Sequence, residues 1–122
     1  MTRIGEKIGL DGAHLAFRTF EGSSGSIVVV TYGTLTSPDK ATTELHLWSQ
    51  SAKKLLQDEQ KKDPVGQVIG QRIVATFIGQ KETEYTAILW TNGSDCFRIQ
   101  APSFAVASYF EQRINSGVDL TE

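Results

Sequence analysis

Apolar and polar positions along this chain alternate with a period of two over several stretches and shift to helical spacing in others. Residues 14–20 set Leu15, Phe17 and Thr19 against Ala16, Arg18 and Phe20, the pattern of a half-buried strand. A turn-rich Glu21-Gly22-Ser23-Ser24-Gly25 follows, and the β-branched run from Ser26 to Leu35 is the strongest strand signal in the chain. These two segments predict an antiparallel hairpin. Residues 1–12, interrupted by Gly5, Gly9 and Gly12, predict a loose N-terminal arm.

Ser37-Pro38-Asp39-Lys40 has the composition of a type I turn. Beyond it Ala41, Leu45, Trp48, Ala52 and Leu55 fall at helical spacing, yet Thr43 to Trp48 also alternates. Residues 43–48 therefore read as strand or helix, and Ser51 to Lys62 reads as helix on either view. Asp63-Pro64 ends it, because the residue before proline is pushed out of the α region.

Arg72 to Ile78 and Glu84 to Thr91 are strand-like, and Asn92-Gly93 suits a two-residue hairpin turn. That turn would pair Thr91 with Ser94, Leu89 with Cys96 and Ala87 with Arg98. It sorts Thr86, Ile88, Trp90, Asp95, Phe97 and Ile99 onto one face, and Tyr85, Ala87, Leu89, Cys96, Arg98 and Gln100 onto the other. Pro102 opens a helix whose apolar stripe is Val106, Ala107, Phe110 and Ile114. Residues 118–122 read as a frayed tail.

The order β-β-(β)-α-β-β-β-α predicts a single α+β domain over residues 1–122: an antiparallel β-sheet of five to six strands with two helices. This order is similar to that of profilin-like and longin-like domains, and resembles more loosely the α-β-α sandwiches of photosystem accessory proteins. No residue motif selects among them, and element order alone says little about function.

Composition narrows the function classes. The chain has 122 residues with 12 Lys and Arg against 14 Asp and Glu, a net charge of -2 that does not suggest a broad basic footprint for nucleic acid. The longest uninterrupted aliphatic run is Ile27 to Val30, far below the roughly 20 residues that span a bilayer. A soluble protein without nucleic-acid or membrane partners is expected. Its default location is the cytoplasm unless a signal peptide precedes the sequence given.

No motif carries chemistry. His14 and His46 lie far apart, without the close ligand pair of a zinc site. Cys96, the single cysteine, has Arg98 two residues along but no nearby histidine, so it reads as a small structural hydrophobe. Gly66 and Gly70 lack the residues of a phosphate loop, and Asn92-Gly93-Ser94 matches a glycan acceptor that its turn role already explains. Lys53, Lys54, Lys61 and Lys62 are interleaved with acids, as on a solvated helix. No cofactor and no metal is expected.

The last hairpin is the most informative feature. Its second face mixes Tyr85, Leu89 and Arg98, so something covers it: the other helix, a partner or a ligand. The leading expectation is a non-catalytic domain acting through protein association, as a homodimer or with another protein, with Tyr85, Leu89, Arg98, Trp48 and Trp90 as candidate contacts. The alternative is a ligand-binding protein or enzyme with a pocket between sheet and helix. There Arg98 would hold an anionic group and His14 or His46 would act as base.

Overall fold

The computed structural model describes residues 2–8, 14–21 and 26–116, with side chains described for 15–21 and for 26–116 except residue 80. Strands β1 (Thr2–Ile8), β2 (His14–Glu21) and β3 (Ile27–Thr34) come first, then helix α1 (Pro38–Ser49). Strands β4 (Lys54–Lys62), β5 (Val68–Ile78), β6 (Glu84–Asn92) and β7 (Asp95–Ala101) follow, and helix α2 (Phe104–Asn115) closes the described chain. Among the described residues the seven strands form one sheet in the order β1-β2-β3-β7-β6-β5-β4, with every neighbouring pair antiparallel. The α+β class, the antiparallel sheet and the two helices are those the sequence indicates. No helix of the described residues is long and apolar enough to cross a membrane.

Each helix covers one face of the sheet. α1 contributes Ala41, Leu45 and Trp48 to a cluster with Ile73, Ala75, Phe77, Ala87, Leu89 and Cys96. On the other face Ala107, Phe110 and Ile114 of α2 pack with Val28, Val30, Val74, Ile88, Trp90 and Ile99. Strands β5 and β6 therefore contribute to both cores, which is why β6 reads as a nearly continuous apolar run.

Both helices start on a serine cap. Ser37 Oγ accepts from Lys40 N at 3.2 Å with Pro38 in the first turn, and Ser103 Oγ accepts from Val106 N at 3.3 Å. These bonds satisfy amide donors that the first helical turn leaves without intrahelical partners. Ser37-Pro38-Asp39-Lys40 is thus the opening of α1 and not a separate turn. The two share αR dihedrals and differ only in whether the chain continues. Residues 43–48 are helical within it.

Three other expectations are corrected. Thr2–Ile8, expected as a loose arm, is strand β1, paired with β2 from Thr2↔Phe20 to Ile8↔His14. The adjacent strand supplies the ladder that its Gly5 does not itself favour. Residues 9–12 and 118–122 lie outside the described residues. Ser51 to Lys62, expected as helix, contains strand β4 from Lys54 onward. Its Lys, Leu, Gln and Glu residues favour helix, but pairing with the long β5 overrides that preference.

The third correction is the register of the last hairpin. Asn92 pairs with Asp95, Thr91 with Cys96 and Leu89 with Arg98, two residues from the expected alignment. Gly93, at φ +60°, is the first central residue of a Gly93-Ser94 turn, while Asn92 stays in the strand. Glycine at that place with positive φ marks a type II′ turn, in which asparagine is not needed. A slip of two preserves the pleat, so every side chain keeps its predicted face.

Candidate functional site

The structure brings Tyr85, Leu89, Arg98 and Trp48 together, but under α1 rather than on an open surface. Leu89 is fully buried, and Trp48 and Trp90 are enclosed in the two cores. Trp90 is on the opposite face, stacked on Phe97 at 4.9 Å between ring centroids. Tyr85 and Arg98 remain half-buried. The cover expected from residues 51–62 comes instead from residues 38–49, one helix earlier in the chain.

Arg98 is the most unusual group on that face. Its guanidinium carbon lies 5.8 Å from the Trp48 ring centroid, a cation–π distance. Its Nε is buried without a hydrogen-bond partner among the described residues. Burial lowers its pKa from the ordinary arginine value, partly opposed by charge interaction and hydrogen bonding with Tyr85. Tyr85 also stacks on Phe77 at 5.4 Å and lines a cleft of about 440 Å³ with Ile27, Val29, Glu84, Gln100 and Pro102. The Glu84 carboxylate is paired with Lys53 at 2.8 Å, and Arg98 lies behind Tyr85 rather than in the lining. His46 is exposed on α1, and the side chain of His14 lies outside the described residues. Among the described residues no three His, Cys, Asp or Glu side chains cluster as metal ligands, and the Cys96 thiol is buried.

A larger cleft of about 610 Å³ lies between the start of α1 and the β4–β5 hairpin, where Asp39, Thr42, Gln60, Gln71 and Thr91 meet. Asp39 is the only charged residue lining it among the described residues. Part of its polar lining is already engaged: Gln71 N donates to Thr91 Oγ1 at 3.0 Å, and Gln71 Nε2 donates to Asp58 Oδ1 at 2.5 Å. The cleft therefore presents hydrogen-bonding amides and hydroxyls without a charge gradient suited to an anion.

The β4–β5 hairpin is the feature that reading the sequence missed. Asp63-Pro64-Val65-Gly66 forms its turn: Gly66 N donates to Asp63 O at 2.9 Å, and Asp63 Oδ1 accepts from Val65 N and Gln67 N at 3.0 and 2.9 Å. Gly66 takes φ +88°, open to glycine at little cost. Asp, Pro and Gly at the first, second and fourth positions are a type I turn signature, so the signal was present in the sequence. Read as a helix terminator, Asp63-Pro64 concealed it.

The hairpin is unusually apolar at its surface. Of eleven exposed large apolar side chains among the described residues, six lie on it: Leu55, Leu56, Val65, Val68, Ile69 and Ile78. Between the two apolar ends runs Gln57-Asp58-Glu59-Gln60-Lys61-Lys62, on the outermost strand of the sheet. Comparison of the chain with protein-family models, with curated proteins and with solved structures finds no match.

Proposed function

We propose that this chain is a non-catalytic α+β domain that works through protein association, with the β4–β5 hairpin as its contact surface. The observation that carries this reading is the concentration of exposed apolar side chains on that one hairpin, which also borders an open sheet edge. Leu55 and Leu56 at one end of β4 and Val65, Val68 and Ile69 at the other flank its polar stretch, and an edge strand offers a row of backbone donors and acceptors for another chain. Leu55 and Val65, at 54% and 86% exposure, are the natural anchors. Leu89, Trp48 and Trp90, candidates on sequence grounds, act in this reading as the core that holds the hairpin's parent sheet rigid.

A photo-crosslinking residue placed at Val65, with Leu47 on α1 as the control position, tests this in cells. A second polypeptide captured from position 65 and not from 47 is the expected result. Capture from neither position, or equally from both, overturns the hairpin as a contact surface.

A second reading rests on Arg98, whose buried Nε has no partner among the described residues and whose neighbour Tyr85 reaches the adjoining cleft. An anionic small molecule entering there would offset the desolvation of the guanidinium. Thermal melting with inorganic phosphate and with short carboxylates reads this directly. Stabilisation that disappears in Arg98→Met supports it, and no shift at millimolar anion removes it.

A further inference from the structure

Strand β4 ends the sheet beyond β5, and from Gln57 to Lys62 it contains no extra residue of its own. The irregularity between Leu55 and Gln57 precedes this stretch, and the one between Lys61 and Lys62 falls on β5, where Ile69 is the extra residue. Lys61 and Glu59 project on the α2 side. Glu59 Oε1 lies 3.6 Å from Arg72 Nη1, and Lys61 Nζ lies 5.8 Å from the Trp90 ring centroid. Their pleat alternates, so Asp58 and Lys62 belong to the opposite side.

Joining two such edges antiparallel about a two-fold axis normal to the sheet keeps like faces together, so each residue must face one of its own parity. Centring the axis on Asp58, Glu59 or Lys61 would set that charge against its own copy. Centring it on Gln60 opposes Asp58 to the partner's Lys62 and Glu59 to the partner's Lys61, each twice by symmetry. The same register carries Leu55 and Leu56 toward the partner's Val65 and Pro64. We infer that β4 pairs with β4 of a second copy in this register, building one continuous sheet across a homodimer. This rests on the association reading above and specifies its partner. The match is self-complementary, so it closes at two chains and does not propagate.

Sedimentation over a range of concentrations, combined with charge exchange, tests the register. Wild type is expected to form a dimer, and Glu59→Lys or Lys61→Glu alone to weaken it about tenfold or more, because each creates two like-charge cross-strand pairs. Mixing the two variants restores both pairs, so the equimolar mixture should dimerise nearly as strongly as wild type. If either variant melts abnormally, Asp58→Lys and Lys62→Glu make the same exchange on the other face. A wild type that stays monomeric overturns the inference, as does a mass growing past the dimer or a mixture no stronger than its components. A monomer whose position 65 still captures a different protein sinks this register and leaves the association reading standing; failure of both experiments removes both.

Discussion

Arg72 on β5 and Glu111 on α2 form a two-pronged ion pair, Nε to Oε2 at 2.8 Å and Nη2 to Oε1 at 3.0 Å. The two residues are 39 positions apart in sequence. Their side chains are only 17% and 11% exposed, so water screens the pair weakly. Gln57 Oε1 accepts a further bond from Arg72 Nη1 at 2.6 Å, which ties the edge strand β4 into the same network. The hydrogen bond to Glu111, more than any other influence, raises the pKa of Arg72. A carboxylate thus replaces an apolar residue at the centre of the α2 stripe, and it positions that helix over the sheet.

Removing one partner should cost more than removing both. Arg72→Met leaves the nearly buried Glu111 carboxylate without its two-pronged partner and with only the charge of Lys61 nearby, at a cost of about 2–4 kcal/mol, and Arg72→Met with Glu111→Leu should recover much of it. A double-mutant cycle from urea denaturation measures the coupling. A coupling near zero would show that α2 is held by its apolar contacts alone.

Two glycines should fail by different mechanisms. A Cβ on Gly70 would stand 2.0 Å from Thr91 O, so Gly70→Ala forces β5 and β6 apart, with a loss above about 2 kcal/mol. A Cβ on Gly93 would meet nothing within 4 Å, but the residue takes φ +60°, so Gly93→Ala should cost only about 1 kcal/mol through backbone conformation. Equal shifts of the denaturation midpoint in the two variants would contradict the close approach at Gly70.

Charge reversal and charge removal at Arg98 should diverge. Arg98→Glu places a carboxylate beneath α1 beside Trp48 and should lower stability by about 3 kcal/mol or more. Arg98→Met keeps the length of the side chain and removes the desolvation cost, and should stay within about 1 kcal/mol of wild type. Thermal melts of both variants decide this, and a tolerated Arg98→Glu would mean that the side chain swings out to solvent.

The two helices should differ in sensitivity. Leu45 of α1 is fully buried, and Leu45→Ala should cost about 3–4 kcal/mol. Phe110 of α2 is half-buried and meets Phe20 at 5.1 Å, so Phe110→Ala should cost less, about 2 kcal/mol. Denaturation midpoints in the reverse order would place the main core on the α2 side.

Amino-acid pattern alone determined the class, the two strongest hairpin strands, the α2 stripe at Ala107, Phe110 and Ile114 but not at Val106, which the structure leaves exposed, and the faces of Tyr85 to Trp90 and Asp95 to Gln100. These are local properties, set by the period of burial along one segment. The faces survived a misplaced turn because a slip of two residues leaves the pleat unchanged. Tyr85, Leu89 and Arg98 were legible as one face for the same reason. Whether that face was open depended on where α1 lay, which no residue on β6 or β7 encodes.

Tertiary structure alone decided that residues 2–8 and 54–62 are strands. Both segments form the sheet's edges, where one neighbour supplies the whole ladder and the side chains need not be apolar. β4 has the composition of a helix and becomes a strand because the Asp63-Pro64-Val65-Gly66 turn folds it back along β5. Backbone hydrogen bonds across that hairpin then outweigh preferences of a few tenths of a kcal/mol per residue.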